Sequence, residues 1–136
     1  MDRNASRLHP MMLADAGRQV RHVFVRDLIR HASIGAFDHE RSHGQPVRIN
    51  VDMEVVDDRD HGDRLDNVVC YKRIVEGIEA VLNAGHINLV ETLAERIAAI
   101  PLADHRVRAV RVRIEKLSAI ENAASVGVEI ERRRHP

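Results

Sequence analysis

The rhythm of hydrophobic and polar positions changes repeatedly along this chain, and each rhythm predicts an element. Val20–Arg30 is rich in β-branched residues and free of turn formers, which predicts a strand. Gly35 to Pro46 holds two glycines and a proline and reads as a loop with at most one helical turn. Val47, Ile49, Val51, Met53 and Val55 then alternate with Arg48, Asn50, Asp52 and Glu54, a period of two that marks a half-buried antiparallel strand. The charged stretch Asp57–Asp66, broken by Gly62, is a surface connection. Ile74, Ile78, Val81 and Leu82 recur at helical spacing, predicting a helix from about Val69 to Asn83 that stops at Ala84-Gly85. A second helix is predicted from an Asn88 N-cap, with Leu89, Leu93, Ile97 and Ile100 on one stripe before Pro101. Val110, Val112 and Ile114, and later Val126, Val128 and Ile130, alternate with polar residues or glycine as two more strands. The order ββααββ, four antiparallel strands with a helix pair on one face, makes an α+β domain.

A length of 136 residues suits one domain whose core needs no disulfide or metal staple. That domain spans residues 20–133, after an aperiodic segment 1–19 that reads as a mobile arm and before a short tail, 134–136. The apolar run Met11–Ala14 is too short for a signal-peptide core, and no apolar stretch approaches a membrane span. A cytoplasmic protein is the expectation. The balance of 21 basic and 21 acidic residues argues against nucleic acid or a membrane surface as partner. With Phe24, Phe37 and Tyr71 as its aromatics, the chain also lacks a base-stacking platform. One cysteine, Cys70, allows neither an internal disulfide nor a multi-cysteine zinc site.

Among the basic residues only Lys72 and Lys116 are lysines, and arginine cannot shuttle protons at neutral pH. Counting by twos from Val110 through Val112 and Ile114 lands on Lys116, so an apolar strand face ends in an amine. Partial desolvation there would bring the amine toward the neutral range, where it can exchange protons, unless the strand stops at Glu115 and Lys116 swings into water. His39-Glu40-Arg41-Ser42-His43 spells H-E-x-x-H, yet Gly35, Gly44 and Pro46 leave no helix long enough to present both imidazoles to zinc. No G-x-S-x-G and no glycine-rich phosphate loop occurs. Cys70, at a helix start, could be a dipole-assisted thiolate or an inert buried thiol. Glu91, three residues after Asn88, could close a capping box, or it could grip a planar ligand that shows two adjacent N–H donors.

Several segments, in order and with compatible spacing over about residues 20–133, resemble dihydroneopterin aldolase of folate biosynthesis. They are Ile34-Gly35-Ala36-Phe37-Asp38-His39-Glu40, Val47-Arg48-Ile49-Asn50-Val51, Cys70-Tyr71, Ile87-Asn88-Leu89-Val90-Glu91-Thr92-Leu93-Ala94-Glu95-Arg96-Ile97-Ala98, Glu115-Lys116-Leu117 and Ser125-Val126-Gly127-Val128-Glu129-Ile130. The resemblance implies the tunnelling fold, in which four subunits close their sheets into a barrel and two rings stack into an octamer, with active sites between subunits. It implies a pterin substrate and no cofactor, and it implies roles. Glu91, with the backbone of Val90, would hold the 2-amino-4-oxo edge of the pterin. Tyr71, from the neighbouring subunit, would lie over or beside the ring and protonate the enol-like carbon. Lys116 would be the general acid/base, and Glu40 would contact the hydroxylated side chain. The Lys116-Leu117 pair and compact turn Ser118–Ala124 also resemble dihydroneopterin triphosphate epimerase, which leaves that activity, or a non-catalytic pterin-binding ring, as alternatives.

Overall fold

The computed structural model describes residues 14–134. Its elements are β1 (Val20–Ala32), the one-turn α1 (Asp38–Arg41), β2 (Gln45–Val56), α2 (Tyr71–Asn83), α3 (Val90–Leu102), β3 (Val107–Lys116) and β4 (Val126–Arg133). The four strands form one antiparallel sheet in chain order, β1-β2-β3-β4, so β1 and β4 are edges within a single chain. The helices are covered on one side by the sheet's apolar face. Ile74 and Ile78 of α2, and Leu93, Ala94, Ile97 and Ala98 of α3, are buried in one core with Ile49, Met53, Val110 and Ile114. Each fully buried large aliphatic side chain of this set contributes about 1.5–3 kcal/mol.

The opposite face is a lattice of charges. On β2, Asn50, Asp52 and Glu54 are nearly inaccessible, and side chains from β1 and from the turn before it bond to them. His22 Nε2 lies 2.8 Å and Arg26 Nη2 3.0 Å from Asp52, and Arg18 reaches Glu54 at 2.6 Å. Such cross-strand partners let the middle of the sheet carry carboxylates without an apolar cover.

The predicted order and strand faces hold, with local differences. β1 contains a bulge between Val25 and Leu28, where Asp27 adopts φ 54° and its N–H donates to Asn50 Oδ1 at 2.8 Å. The extra residue switches the inward positions from Val23 and Val25 to Leu28 and Ala32. A 3₁₀ turn, Leu65–Asn67, interrupts the charged connection. Helix α3 starts later than predicted: Leu89, not Asn88, is its N-cap and makes no side-chain cap bond. At the other end the helix runs through Pro101 to Leu102, since a proline near the C-terminus still leaves later carbonyls for Ala103 N–H to cap. Of segment 1–19, residues 1–13 lie outside the described residues. The last part turns back on the sheet, with Asp15 bridging Val20. No described helix is long and apolar enough to cross a membrane.

Candidate active site

The alternation that makes β3 a strand carries Lys116 onto its inward face, opposite Val47 of β2. The amine does not swing into water. Its Nζ donates to Glu40 Oε2 at 2.7 Å, and the two side chains are only 15% and 6% exposed. Glu40 arrives from α1, a single turn that points one residue inward and leaves His39 and Arg41 outside. The H-E-x-x-H residues therefore separate: the helix ends at Arg41, and His43 lies beyond it.

Three donors converge on the Glu40 carboxylate. Besides Lys116, Gln45 Nε2 donates to Oε2 at 3.0 Å, and the Phe37 N–H donates to Oε1 at 3.3 Å. The Lys116 hydrogen bond is the largest influence on its acidity. Against the opposing effect of burial, it holds the carboxyl at about 2 instead of 4.5. Gly35 makes room for this carboxylate. A Cβ at that position would lie 2.1 Å from Glu40 Cδ, and φ there is +138°, a backbone region open to glycine.

The same loop is tied to the start of α3. Gly35 N–H donates to Ile87 O at 3.0 Å, and Ile87 N–H to Ser33 O at 3.1 Å, a short parallel bridge between residues 33–35 and the α2–α3 connection. Glu91 follows two residues after the Leu89 cap, one short of the capping-box position. The box is absent, and the Glu91 carboxylate is exposed without a hydrogen-bond partner among the described residues. The first intrahelical bond of α3 runs from Leu93 N–H to Leu89 O. The N–H groups of Val90, Glu91 and Thr92 thus point out of the helix end, as helix geometry requires.

Tyr71 stands apart. It opens α2, is 65% exposed, and has no hydrogen-bond partner among the described residues. Helices α2 and α3 run antiparallel, with Gly77 against Ile100, so Tyr71 lies one helix length, about 18 Å, from the end where Glu91 sits. Near it, a cleft of about 660 Å³ is lined by Cys70, Arg73, Ile74, Ile100 and Arg106. One chain therefore brings together Glu40, Lys116 and the start of α3, and leaves Tyr71 and the half-buried Cys70 at the far end. Gln45 was missed by the sequence reading. It sits two residues before Val47 on the same inward parity that singles out Lys116, so the same count by twos would have found it.

Comparison with known proteins decides the family. The model of FolB, dihydroneopterin aldolase, matches residues 23–131. The chain belongs to the dihydroneopterin aldolase family. Among curated relatives, the dihydroneopterin aldolase of Escherichia coli K12 is 32% identical over 113 residues, covering 81% of this chain and 91% of that protein. That of Streptomyces coelicolor is 35% identical over 99 residues, covering 71% and 82%. Among solved structures, a Burkholderia dihydroneopterin aldolase bound to guanine superimposes with TM-score 0.78 at 35% identity, covering 94% of this chain and 98% of that one. The E. coli enzyme in complex with neopterin gives 0.72 at 29% identity, covering 82% and 97%. The α+β architecture of this family is the one the sheet and helix pair display.

Proposed function

We propose that this chain cleaves 7,8-dihydroneopterin by a retro-aldol reaction, with Lys116 as general acid/base, giving 6-hydroxymethyl-7,8-dihydropterin and glycolaldehyde for folate biosynthesis. The observation that carries this reading is the secluded Lys116–Glu40 pair, held by the Gly35 loop beside the open start of α3. Guanine and neopterin, held by the two related structures, share an edge with an amino group beside a ring N–H. A carboxylate accepts both hydrogens side by side, and Glu91 is a free carboxylate at a helix N-terminus. Glu91 takes that edge, the Val90 backbone adds a hydrogen bond, and Glu40 faces the hydroxylated side chain.

In the reaction, the C2′ hydroxyl loses its proton to the base and becomes the aldehyde of the leaving fragment. The C1′–C2′ bond breaks, its electrons form C1′=C6, and the former N5=C6 imine takes up a proton at N5. Protonation of C1′ and loss of the N5 proton restore the imine. The ring imine is the electron sink, so the bond breaks without a Schiff base or Lewis acid. Lys116 serves the hydroxyl and N5 protons in turn, and Tyr71 delivers the proton to C1′.

Within one chain Tyr71 opens α2 about a helix length from the Glu91 end, and this separation supports a reading in which Tyr71 is supplied by a second subunit. The unpaired edges β1 and β4 fit a head-to-tail ring, tetrameric or stacked as an octamer, in which each junction supplies one chain's Lys116 and its neighbour's Tyr71.

Two measurements test this. Incubation with 7,8-dihydroneopterin and product chromatography should yield glycolaldehyde and the hydroxymethyl pterin; the C2′ epimer alone would make the protein an epimerase, and no product a binding protein. Inactive Lys116→Ala and Tyr71→Phe chains, unfolded and refolded together, should recover activity at about a quarter of junctions. Absence of recovery would place the site within one chain.

A further inference from the structure

The two halves of the proposed site come from parts of the chain that are distant in sequence. Glu40 comes from the β1–β2 connection and holds Lys116, at the end of β3, through their ion pair, and Glu91 comes from the start of α3. Reaction requires that they keep a fixed spacing, because one half holds the ring and the other acts on its side chain. The bridge between residues 33–35 and Ile87 sets that spacing, and one side chain closes it. His86 Nε2 lies 2.8 Å from Gly35 O, and its Nδ1 lies 2.7 Å from Ser33 Oγ. A carbonyl oxygen only accepts, so Nε2 carries the hydrogen, and in the neutral ring Nδ1 accepts from the Ser33 hydroxyl. The imidazole therefore spans both ends of the strip 33–35.

Other polar groups of the strip are also occupied: Ile34 O receives Gln45 Nε2 at 2.8 Å, Gly35 N–H meets Ile87 O, and Ser33 O receives Ile87 N–H. Among the described residues, His86 is thus the one side chain of the α2–α3 connection with a hydrogen bond to the cradle beneath Glu40. Gly85 just before it has φ +134°, a conformation that turns the chain sharply after α2.

We propose that His86 is a positioning residue for the aldol cleavage, acting through Gly35 to hold the Glu40–Lys116 pair in register with Glu91. The inference rests on the site reading above. It concerns alignment of the reacting groups, so its signature is in turnover and not in pterin affinity. An ångström of misplacement can cost about a hundredfold in rate.

The test uses the full-length protein with dihydroneopterin as substrate and neopterin as binding probe. His86→Asn keeps a polar group near Ser33 but cannot reach Gly35 O, and His86→Gln places an amide N–H where Nε2 was. His86→Asn is expected to lower kcat about tenfold or more, with KM and neopterin affinity within about threefold. His86→Gln is expected to recover kcat to within about threefold of the parent. An unchanged kcat in His86→Asn overturns the proposal, as does a loss carried by KM or a His86→Gln no better than His86→Asn. His86→Ala and Ser33→Ala, followed by melting temperature and kcat, repeat the test should the asparagine variant not fold. A Lys116→Ala control that still turns over would instead overturn the site reading itself.

Discussion

Glu40 and Glu115 lie at the same corner of the molecule, and their acidities are almost the same. Both are nearly buried, and both are held at about 2 by a cation hydrogen-bonded to them. Glu40 sits on the helix-covered side with Lys116. Glu115, one residue before that lysine, sits on the charged face and takes Arg48 through two bonds of 2.9 and 3.0 Å, with Ser125 Oγ at 2.7 Å. What differs is the partner. Guanidinium keeps its protons under any condition the protein meets, and its fork locks a carboxylate in place. An ammonium on a flexible stem can pass a proton on. A lowered carboxyl pKa thus marks both a structural clamp and a reactive pair, and the chemistry of the cation separates them.

The strongest way to break this symmetry is Lys116→Ala. Turnover should fall by about 10²–10⁴-fold while neopterin binding, followed by fluorescence titration, stays close to the parent. Gly35→Ala ranks next. The new Cβ occupies the space of the Glu40 carboxyl, and the backbone must hold a glycine conformation, costing about 1–3 kcal/mol. Its kcat should drop about a hundredfold, with a melting temperature lowered at the same time. Glu115→Gln is the mildest and the most discriminating. It should lower the melting temperature by about 3–6 °C and leave kcat within about twofold.

Acid sharpens the same comparison. The folded value of Glu115, about 2, lies below its ordinary 4.5, so its stabilising contribution is complete above pH 4.5 and disappears as pH falls toward 2. Equilibrium unfolding of the parent should weaken across that window, and Glu115→Gln should show a shallower fall. Parallel curves for the two proteins would rule out Glu115 as a source of the acid sensitivity.

Much of this corner was legible before any coordinates. Lys116 was a candidate because a strand's period of two carries the count from Val110 onto it, but that count alone left open a strand ending at Glu115; β3 runs on to Lys116. The pairing with Glu40 was not legible from periodicity, since 76 residues separate the partners and both polar groups lie at element ends. Glu91 illustrates a different limit. Its position after Asn88 suggested a capping box, but the helix begins one residue later than the strongest capping side chain, and the carboxylate is left free. The bulge in β1 left a trace that a single-strand reading passes over: the apolar parity switches between Val25 and Leu28. His86 left none, because nothing local distinguishes a loop histidine that bonds to a carbonyl from one that points into solvent.

The order of strands in the sheet has a consequence for how the protein comes to exist. Because that order follows the chain, β1–β2 and β3–β4 are neighbours in sequence, and each can zip locally. Only the β2–β3 seam must close an interval of roughly fifty residues, with both helices already inside it. Closing that seam is the slow, high-contact-order event, and it is the same event that brings Val47 opposite Lys116. A partly folded chain therefore carries the amine and the carboxylate on separate hairpins, and the pair forms only when the seam closes.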